Sequence, residues 1–287
     1  RDLGSIFNNM LDAIRDAMKK LEETTAAKQR IESELNIARE IQMSLLPKIV
    51  PPFPNSPEFK IHAVVEPARE VGGDFYDLFF IDDTHFFFAV GDVSGKGVPA
   101  SLFMAVTKTL LKSSAAATQV PQTMLTMVNN ELAPDNDSCM FITVFCGVLD
   151  TATGEVVCAN AGHNPPLIRR ASGTCEFLET PGDMVLGPIE GIVYSTGRFV
   201  LAKGDLLLVY SDGITEAADT EGAMFGEDRF EHAAADLTDT APHKATAALR
   251  SIISEFVGNA VQSDDITLLA LRYEAHQGRS TEGINHR

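Results

Sequence analysis

The first 45 residues of the sequence carry a heptad repeat. Hydrophobic positions recur at alternating spacings of four and three residues from Leu3 to Leu45, with no proline before Pro47. Ten of the thirteen seam positions are apolar. The thirteen are Leu3, Phe7, Met10, Ile14, Ala17, Leu21, Thr24, Lys28, Ile31, Leu35, Ala38, Gln42 and Leu45. This pattern predicts one long helix with the narrow seam of a coiled coil. We expect a homodimer through residues 3–45; the alternative is a helix that packs on its own globular domain.

A proline-rich segment follows the predicted helix. It contains Pro47, Pro51, Pro52, Pro54 and Pro57. Proline at this density ends a helix and favours an extended chain. The sequence is therefore divided into four parts. They are a signalling or linker helix at 1–46, a linker at 47–58, a globular domain at 59–274 and a polar, disordered tail at 275–287.

The globular part alternates strand-like runs with pairs of predicted helices. The runs lie at 59–66, 75–81, 85–93, 139–150, 155–162, 165–171, 197–201, 205–212 and 265–273. The helices are expected at 99–115, 121–133, 226–237 and 242–257. Runs of strands between pairs of helices favour an α/β domain with mainly antiparallel strands and helices over the sheet faces.

Charge limits the partners that this domain can have. The net charge is −17, and residues 48–287 hold 32 acidic and 16 basic side chains. Such a surface repels phosphate backbones, so we expect no nucleic-acid partner. No apolar run reaches the 18 or so residues of a membrane span. The N-terminus does not resemble a secretory signal, and because it begins with Arg1 we interpret the chain as part of a longer one.

Four cysteines lie largely in strand-like runs without CxxC spacing. They are Cys139, Cys146, Cys158 and Cys175. This spacing favours buried free thiols in a reducing cytoplasm over a disulfide framework.

Acidic residues lie at the ends of several predicted strands. They occur in VGGD (Asp74), AVGDVSG (Asp92), LLLVYSDG (Asp212) and SDDITLL (Asp264, Asp265). If these strands are neighbours, the carboxylates converge at one edge of a sheet. A single aspartate in such a place is usually a turn or cap residue, as we expect for Asp82, Asp83, Asp150 and Asp183. Four in matching contexts indicate a shared site.

Clustered carboxylates predict a site for divalent cations. Bare carboxylates in contact repel each other and raise each other's pKa, and a dication removes the conflict. All-oxygen ligation favours Mg²⁺ or Mn²⁺ over Zn²⁺, and several aspartates allow a two-metal centre that lowers the pKa of a bound water. Glycines around Asp74 and Asp92 permit close backbone approach, so the Val93 carbonyl could join the ligands.

Two phosphate-binding motifs do not fit the glycine-rich stretch at 91–100. GDVSGKG is not a P-loop, because only three residues separate Gly91 from Gly95 and Gly97 stands where Ser or Thr is required. GKGVPA fits GxGxxA, but residues 112–125 contain no acid and lead into a second helix. The dinucleotide fingerprint needs a following strand that ends in an acid, so we expect no nucleotide cofactor.

Five ordered motifs resemble one known family. They are VGGDFYD, GDVSGKGVPA, NAGHNPP, SDGITEA with FGEDRF, and DDITLL. Together they resemble the metal-dependent PPM (type 2C) serine/threonine phosphatases, in the bacterial RsbU/SpoIIE-type branch. The resemblance covers residues 58–273, and ELNIAREIQMSLLP resembles the regulatory linker that precedes such domains.

The resemblance implies a fold, a cofactor and a substrate. The fold is an αββα sandwich of two mainly antiparallel sheets flanked by helices, with two Mn²⁺ or Mg²⁺ ions at one end. The implied ligands are Asp74, Asp92, the Val93 carbonyl, Asp212 and Asp264, and Asp265 could share the role. Family substrates are phosphoserine or phosphothreonine proteins, typically anti-sigma-factor antagonists of the STAS type.

Other features leave alternatives open. His163 could act as a general acid or only shape a turn, Lys96 could contact phosphate or be solvated, and Glu216 could support Asp212 or cap a helix. DLGSIFNNML resembles the end of a HAMP helix, which implies a cytoplasmic part of a protein anchored in the inner membrane. A response regulator or other upstream sensor is the alternative. A non-catalytic binding module that sequesters its partner is the rival function.

Overall fold

The computed structural model describes residues 3–48, 56–134 and 136–274. Most of the predicted linker and the whole predicted tail at 275–287 lie outside the described residues. The chain divides into two compact units; the first ends at Met43 and the second begins at Ser44.

The first unit is a single helix. Helix α1 spans Leu3–Leu45, as the heptad pattern predicts. Several large seam side chains are exposed, among them Phe7, Met10, Ile14, Leu21 and Ile31, and Leu21 has 67% of its surface in contact with solvent. The apolar seam is therefore present on the helix surface. No helix among the described residues is both long and apolar enough to span a bilayer.

The second unit contains two five-stranded antiparallel sheets. Sheet I has the order β1-β10-β9-β6-β7, and sheet II has the order β2-β3-β4-β5-β8. The strands are β1 (Phe59–Glu66), β2 (Phe75–Phe80), β3 (His85–Val93), β4 (Ile142–Asp150), β5 (Glu155–Ala161), β6 (Leu167–Arg169), β7 (Cys175–Phe177), β8 (Gly197–Val200), β9 (Leu206–Tyr210) and β10 (Ile266–Tyr273). The helices are α2 (Val98–Ala115), α3 (Pro121–Leu132), α4 (Asp212–Thr215), α5 (Gly226–Ala235) and α6 (Pro242–Val257).

Successive side chains of β9 and β10 point to opposite faces of sheet I, and each face belongs to a different hydrophobic core. One set of alternate residues joins side chains of sheet II in a single buried cluster; it comprises Leu207, Val209, Leu269 and Leu271. The other set packs with side chains of α5 and α6; it comprises Leu206, Leu208, Leu268 and Ala270. Both faces of these strands are buried and most of their residues are apolar, as expected for a sheet covered on both sides. Each fully buried leucine contributes roughly 1.5–3 kcal/mol to stability.

Helices α2 and α3 cover the other face of sheet II. Met104 and Leu111 of α2 and Met124 and Leu125 of α3 are fully buried in the same cluster as the strand residues of that sheet. The order of layers is therefore helix, sheet, sheet, helix. This confirms the predicted αββα fold class with two mainly antiparallel sheets.

Three details differ from the sequence prediction. Strand β7 and the short helix α4 were not predicted, and both are brief, at three and four residues. Cys139 is exposed and Cys175 is half-buried, so the expectation of buried thiols is wrong for these two. Cys139 has a φ of +50° and lies outside β4, which begins at Ile142 and not at residue 139 as the apolar run had suggested. All four thiols are free, as expected.

A buried ion pair joins α2 to the underlying sheet. Lys108 Nζ lies 2.8 Å from Asp77 Oδ2, and Asp77 on β2 is only 2% exposed. The other carboxylate oxygen, Oδ1, accepts a hydrogen bond from the backbone N–H of Leu78. Breaking a buried pair leaves one charge uncompensated, which typically costs 3–5 kcal/mol.

We predict that Lys108→Met lowers the free energy of unfolding by about 3 kcal/mol, because Asp77 is left buried and unpaired. Lys203→Met, at an exposed turn position, is the matched control and should have little effect. Urea unfolding followed by circular dichroism measures both. The double variant Asp77→Asn with Lys108→Met should recover most of the loss, and equal stability of Lys108→Met and the control would contradict the prediction.

Candidate metal centre

Two sheets contribute the predicted aspartates. Asp74 directly precedes β2 and Asp92 is the penultimate residue of β3, its neighbour in sheet II. Asp212 begins α4 after β9, and Asp264 precedes β10, the neighbour of β9 in sheet I. The expectation of one sheet edge is therefore wrong. The carboxylates come from both sheets and meet where the two sheets lie together.

Asp265 ties the two sheets to each other at this point. Its carboxylate accepts hydrogen bonds from the backbone N–H groups of Ala68 and Gly73, each at 2.7 Å, and a longer one from Asp74 N at 3.4 Å. The segment before β2 in sheet II is thus fixed to the segment before β10 in sheet I. Asp265 is 6% exposed, and its oxygens are occupied by the backbone.

Glycines make this close approach possible. A Cβ atom at Gly72 would lie 2.3 Å from Asp265 Oδ2, and one at Gly213 would lie 1.9 Å from the backbone oxygen of Asp265. Neither position has room for a methyl group. Glycine is therefore required at both positions: Gly72 is in contact with the carboxylate of Asp265, and Gly213 is in contact with its backbone.

Burial and neighbouring charges raise the pKa values of three of the predicted acids, Asp74, Asp92 and Asp212. Burial raises the pKa of Asp92 to about 7, with further increases from the charges of Asp212 and Asp264. Burial and then the charge of Asp92 raise the pKa of Asp74 well above its ordinary value. Burial also raises the pKa of Asp212, followed by the charges of Glu216 and Asp264. The carboxylates therefore share one pocket of low dielectric constant, which is the arrangement that we expected to need cations.

The donor set fits a hard divalent cation. Asp74 Oδ2 is buried and has no hydrogen-bond partner among the described residues. A Cβ atom at Gly73 would lie 2.9 Å from the Val93 carbonyl oxygen, so the bare glycine leaves space at that oxygen. Carboxylate and carbonyl oxygens are the ligands that Mg²⁺ and Mn²⁺ prefer. In the described parts of the chain, no group of three or more His, Cys, Asp or Glu side chains is arranged to hold an ion as it stands.

Comparison with known proteins identifies the family. The family profile of stage II sporulation protein E (SpoIIE) matches residues 82–274. The chain belongs to the SpoIIE family. The matched region covers most of the second unit, which is therefore a SpoIIE-type PP2C phosphatase domain.

Individual relatives agree with this family. The chain is 30% identical to protein IcfG of Synechocystis over 83% of this chain and 41% of IcfG. It is 32% identical to phosphoserine phosphatase RsbU of Bacillus subtilis over 68% of this chain and 57% of RsbU. The chain thus spans about half the length of these curated relatives. The SiaA-PP2C domain of Pseudomonas aeruginosa has the same fold, with a TM-score of 0.76, 22% identity and coverage of 87% of this chain and 99% of that domain.

The loop between β3 and α2 carries a cation into this SpoIIE-type site. Lys96 Nζ lies 2.9 Å from Asp264 Oδ2 and also donates a hydrogen bond to the backbone oxygen of Ser263. Gly95 and Gly97 on either side both have positive φ, which lets the loop turn sharply enough to place the lysine there. Lys96 is thus paired with Asp264, which disfavours the solvated side chain, one of the two alternatives that the sequence left open.

His163 of the NAGHNPP motif is a structural residue. It is 6% exposed, and its Nδ1 lies 2.8 Å from Thr143 Oγ1. Asn160 closes the turn around it, accepting from His163 N and donating to His163 O. Burial lowers the pKa of His163 to about 4, so the ring is neutral at neutral pH and is enclosed away from solvent. This favours the turn role over the general-acid role.

Two further residues at the site were not predicted. Ser211 Oγ accepts a hydrogen bond from the backbone N–H of Thr267, which links β9 to β10 next to Asp74. The polar side chains of Thr267 and Ser211 near Asp74 oppose the rise in its pKa. Glu216 is exposed, and its charge acts on Asp212 by raising its pKa. Serine and threonine beside the SD and DD pairs were visible in the sequence, but their partners come from the other strand.

We predict that His163 makes the protein lose stability in acid. The neutral ring is favoured in the folded state, so its contribution is complete above pH 6.5 and is lost as the pH falls towards 4. Between pH 7 and pH 5 this amounts to about 2 kcal/mol. His163→Gln should remove that part of the pH dependence in urea unfolding with EDTA, whereas His232→Gln at an exposed position should retain it. An unchanged slope in His163→Gln would show that the ring is accessible.

Proposed function

We propose that this domain hydrolyses phosphoserine or phosphothreonine esters on a partner protein, with two Mn²⁺ or Mg²⁺ ions in the carboxylate pocket. The observation that carries the proposal is the meeting of four buried or half-buried aspartates from two sheets, with Asp74 Oδ2 free of any hydrogen bond in the described residues. PP2C-type domains are metal-dependent, and a magnesium complex has been solved for one protein of this fold. The similarity to the phosphoserine phosphatase RsbU supports the same substrate chemistry.

In this proposal five groups hold the ions. They are the carboxylates of Asp74, Asp92, Asp212 and Asp264 and the carbonyl of Val93. The bound ions would activate water near neutral pH and neutralise charge on the phosphoryl group. We assign Asp265 a positioning role instead of ligation, because three backbone N–H groups already occupy its carboxylate.

We propose a phosphorylated anti-sigma-factor antagonist of the STAS type as the substrate. The domain has an excess of 16 acidic over basic residues at 48–287, which disfavours free polyanions as ligands. A folded protein with one phosphorylated side chain brings only a single dianionic group into the negative electrostatic potential of the domain. Contacts outside the pocket would then supply much of the affinity.

We propose that the N-terminal helix forms a homodimer and switches activity. Its seam exposes large apolar side chains over most of its length, which a partner helix would cover. The segment after the helix gives a route to the site within the second unit. Leu46 is buried there, and Tyr76 Oη donates a 3.0 Å hydrogen bond to the Pro47 carbonyl, two residues along β2 from Asp74. A sensor domain upstream, anchored in the inner membrane or of the response-regulator type, would supply the signal.

The enzymatic proposal predicts a metal-dependent activity that needs Asp212. Asp212→Ala should reduce Mn²⁺-dependent phosphate release from a phosphoserine protein at least a hundredfold, because one carboxylate that holds the ions is lost. Asp137→Ala, at an exposed position, is the matched control and should retain activity. Phosphate release is measured with Mn²⁺ and with EDTA. Full turnover by Asp212→Ala would refute the assigned role, and wild-type protein that binds the phosphoprotein without hydrolysing it would favour a sequestering module.

The dimer proposal predicts that one charge on the seam separates the protomers. Leu21→Glu should convert dimers into monomers in light scattering coupled to gel filtration, since it places like charges opposite each other in the seam. Ala26→Glu makes the same helix equally acidic away from the seam and should leave the dimer intact. Leu21→Pro, which breaks the helix, should also give monomers. A dimeric Leu21→Glu variant would argue against this interface.

A further inference from the structure

We propose that Lys96 is an internal counter-cation that holds Asp264 in the metal-free protein and competes with the divalent ion for this carboxylate. The inference rests on the proposed metal site and adds to it the residue that sets how tightly the ion is held. Lys96 would then be a positioning residue of the site, not a group that contacts the substrate.

The contacts of Lys96 are those of a cation bound to ligands. Its ammonium group is paired with Asp264 Oδ2 at 2.9 Å and donates to the carbonyl oxygen of Ser263. A carboxylate and a carbonyl oxygen are also the ligand types that a hard divalent ion takes. Lys96 thus occupies, with one charge, a carboxylate that the proposed centre needs.

The rest of the segment is arranged so that Asp264 faces this pocket. Asp264 Oδ1 accepts a hydrogen bond from the backbone N–H of Asp265, and Gln262 Nε2 donates to the backbone oxygen of Asp264. These bonds fix the Asp264 backbone while leaving Oδ2 to Lys96. Among the described residues near the pocket, Lys96 is also the cation that offsets the charge of Asp212.

The lysine is placed so that it can leave. Its side chain is 31% exposed and that of Asp264 is 32% exposed, so the pair borders solvent. Cβ atoms at Gly95 and Gly97 would meet nothing within 4 Å, so no neighbour confines the loop on those sides. A partly exposed ion pair contributes about 0.2–1 kcal/mol. The pair can therefore hold Asp264 without preventing an ion from displacing the ammonium group.

The test is Mn²⁺ binding by isothermal titration calorimetry to the full chain, in which Lys96→Met keeps the length of the side chain and removes its charge. We expect its Kd for Mn²⁺ at Asp264 to fall about two- to fivefold, because no ion pair has to be broken. Lys96→Arg, which keeps the charge, should bind like wild type. Lys203→Met removes the same charge at an exposed turn and corrects for the general effect of net charge.

Thermal unfolding in EDTA gives a second readout that does not depend on bound metal. Lys96→Met should melt at a lower temperature than Lys203→Met, since the carboxylates lose their counter-ion, and saturating Mn²⁺ should reverse the difference. In an Asp264→Asn background, the effects of Lys96→Met on the Mn²⁺ affinity and on the melting temperature in EDTA should be much smaller, because the ion pair is already absent and only the weaker influence of Lys96 on Asp212 remains.

The inference is overturned if Lys96→Met binds Mn²⁺ as Lys203→Met does, or more weakly. An effect of Lys96→Met that is undiminished in the Asp264→Asn background would also overturn it, because Lys96 would then act mainly through another group. Wild-type protein that binds no Mn²⁺ would remove the proposed function and this inference together. Wild-type binding that is insensitive to Lys96 removes only the inference.

Discussion

Electrostatic repulsion among buried carboxylates is the constraint around which the site is built. Asp74, Asp92 and Asp212 are each held where burial and a neighbouring acid raise the pKa. A folded chain maintains such an arrangement only if other interactions offset its cost. Here the offset comes from two tightly packed sheets and from Asp265, whose carboxylate binds the backbone of the opposite sheet. Asp264, one of the clustered carboxylates, is therefore adjacent in sequence to Asp265, which stabilises the contact between the two sheets.

The adjacent residues Asp264 and Asp265 have different roles. Asp265 points into the protein and fixes the segment before β2, so the position of Asp74 depends on it. Asp264 points to the pocket border, where it meets Lys96. The two carboxylates therefore have separate environments: that of Asp265 is bonded to backbone N–H groups, and that of Asp264 is paired with Lys96. The geometry thus favours Asp264 over Asp265 as a ligand, on grounds independent of family resemblance.

Much of the fold was predictable because its strands are long, apolar and bounded by glycine or acid. β1, β3 and β10 match their predicted ranges closely, and α2, α3 and α6 each begin at or next to a proline that marks the first helical turn. The pattern could not reveal β7, which has three residues of mixed burial, or α4, which is a single turn. Cys139 was misjudged because the apolar run begins before β4, at a residue with positive φ.

The site was predictable in membership more than in arrangement. Sequence spacing pointed to the candidate acids because each lies near a strand end and three of them lie beside glycine. It could not place them on two different sheets, because strand order depends on long-range pairing. The partners of Lys96 and Asp77 were also hidden, since both pair with residues that are distant in sequence or on another element.

The contact of Gly72 and Gly213 with Asp265 has a consequence for how such a domain can change. Gly72 lies against the carboxylate of Asp265 and Gly213 lies against its backbone oxygen, so a side chain at either position would clash. Changes in substrate specificity must therefore come from the surrounding loops, because these two glycines have no room for a side chain. Directed evolution of this domain towards new substrates would do best to keep Gly72, Gly213 and Asp265 and to randomise the loops around the site.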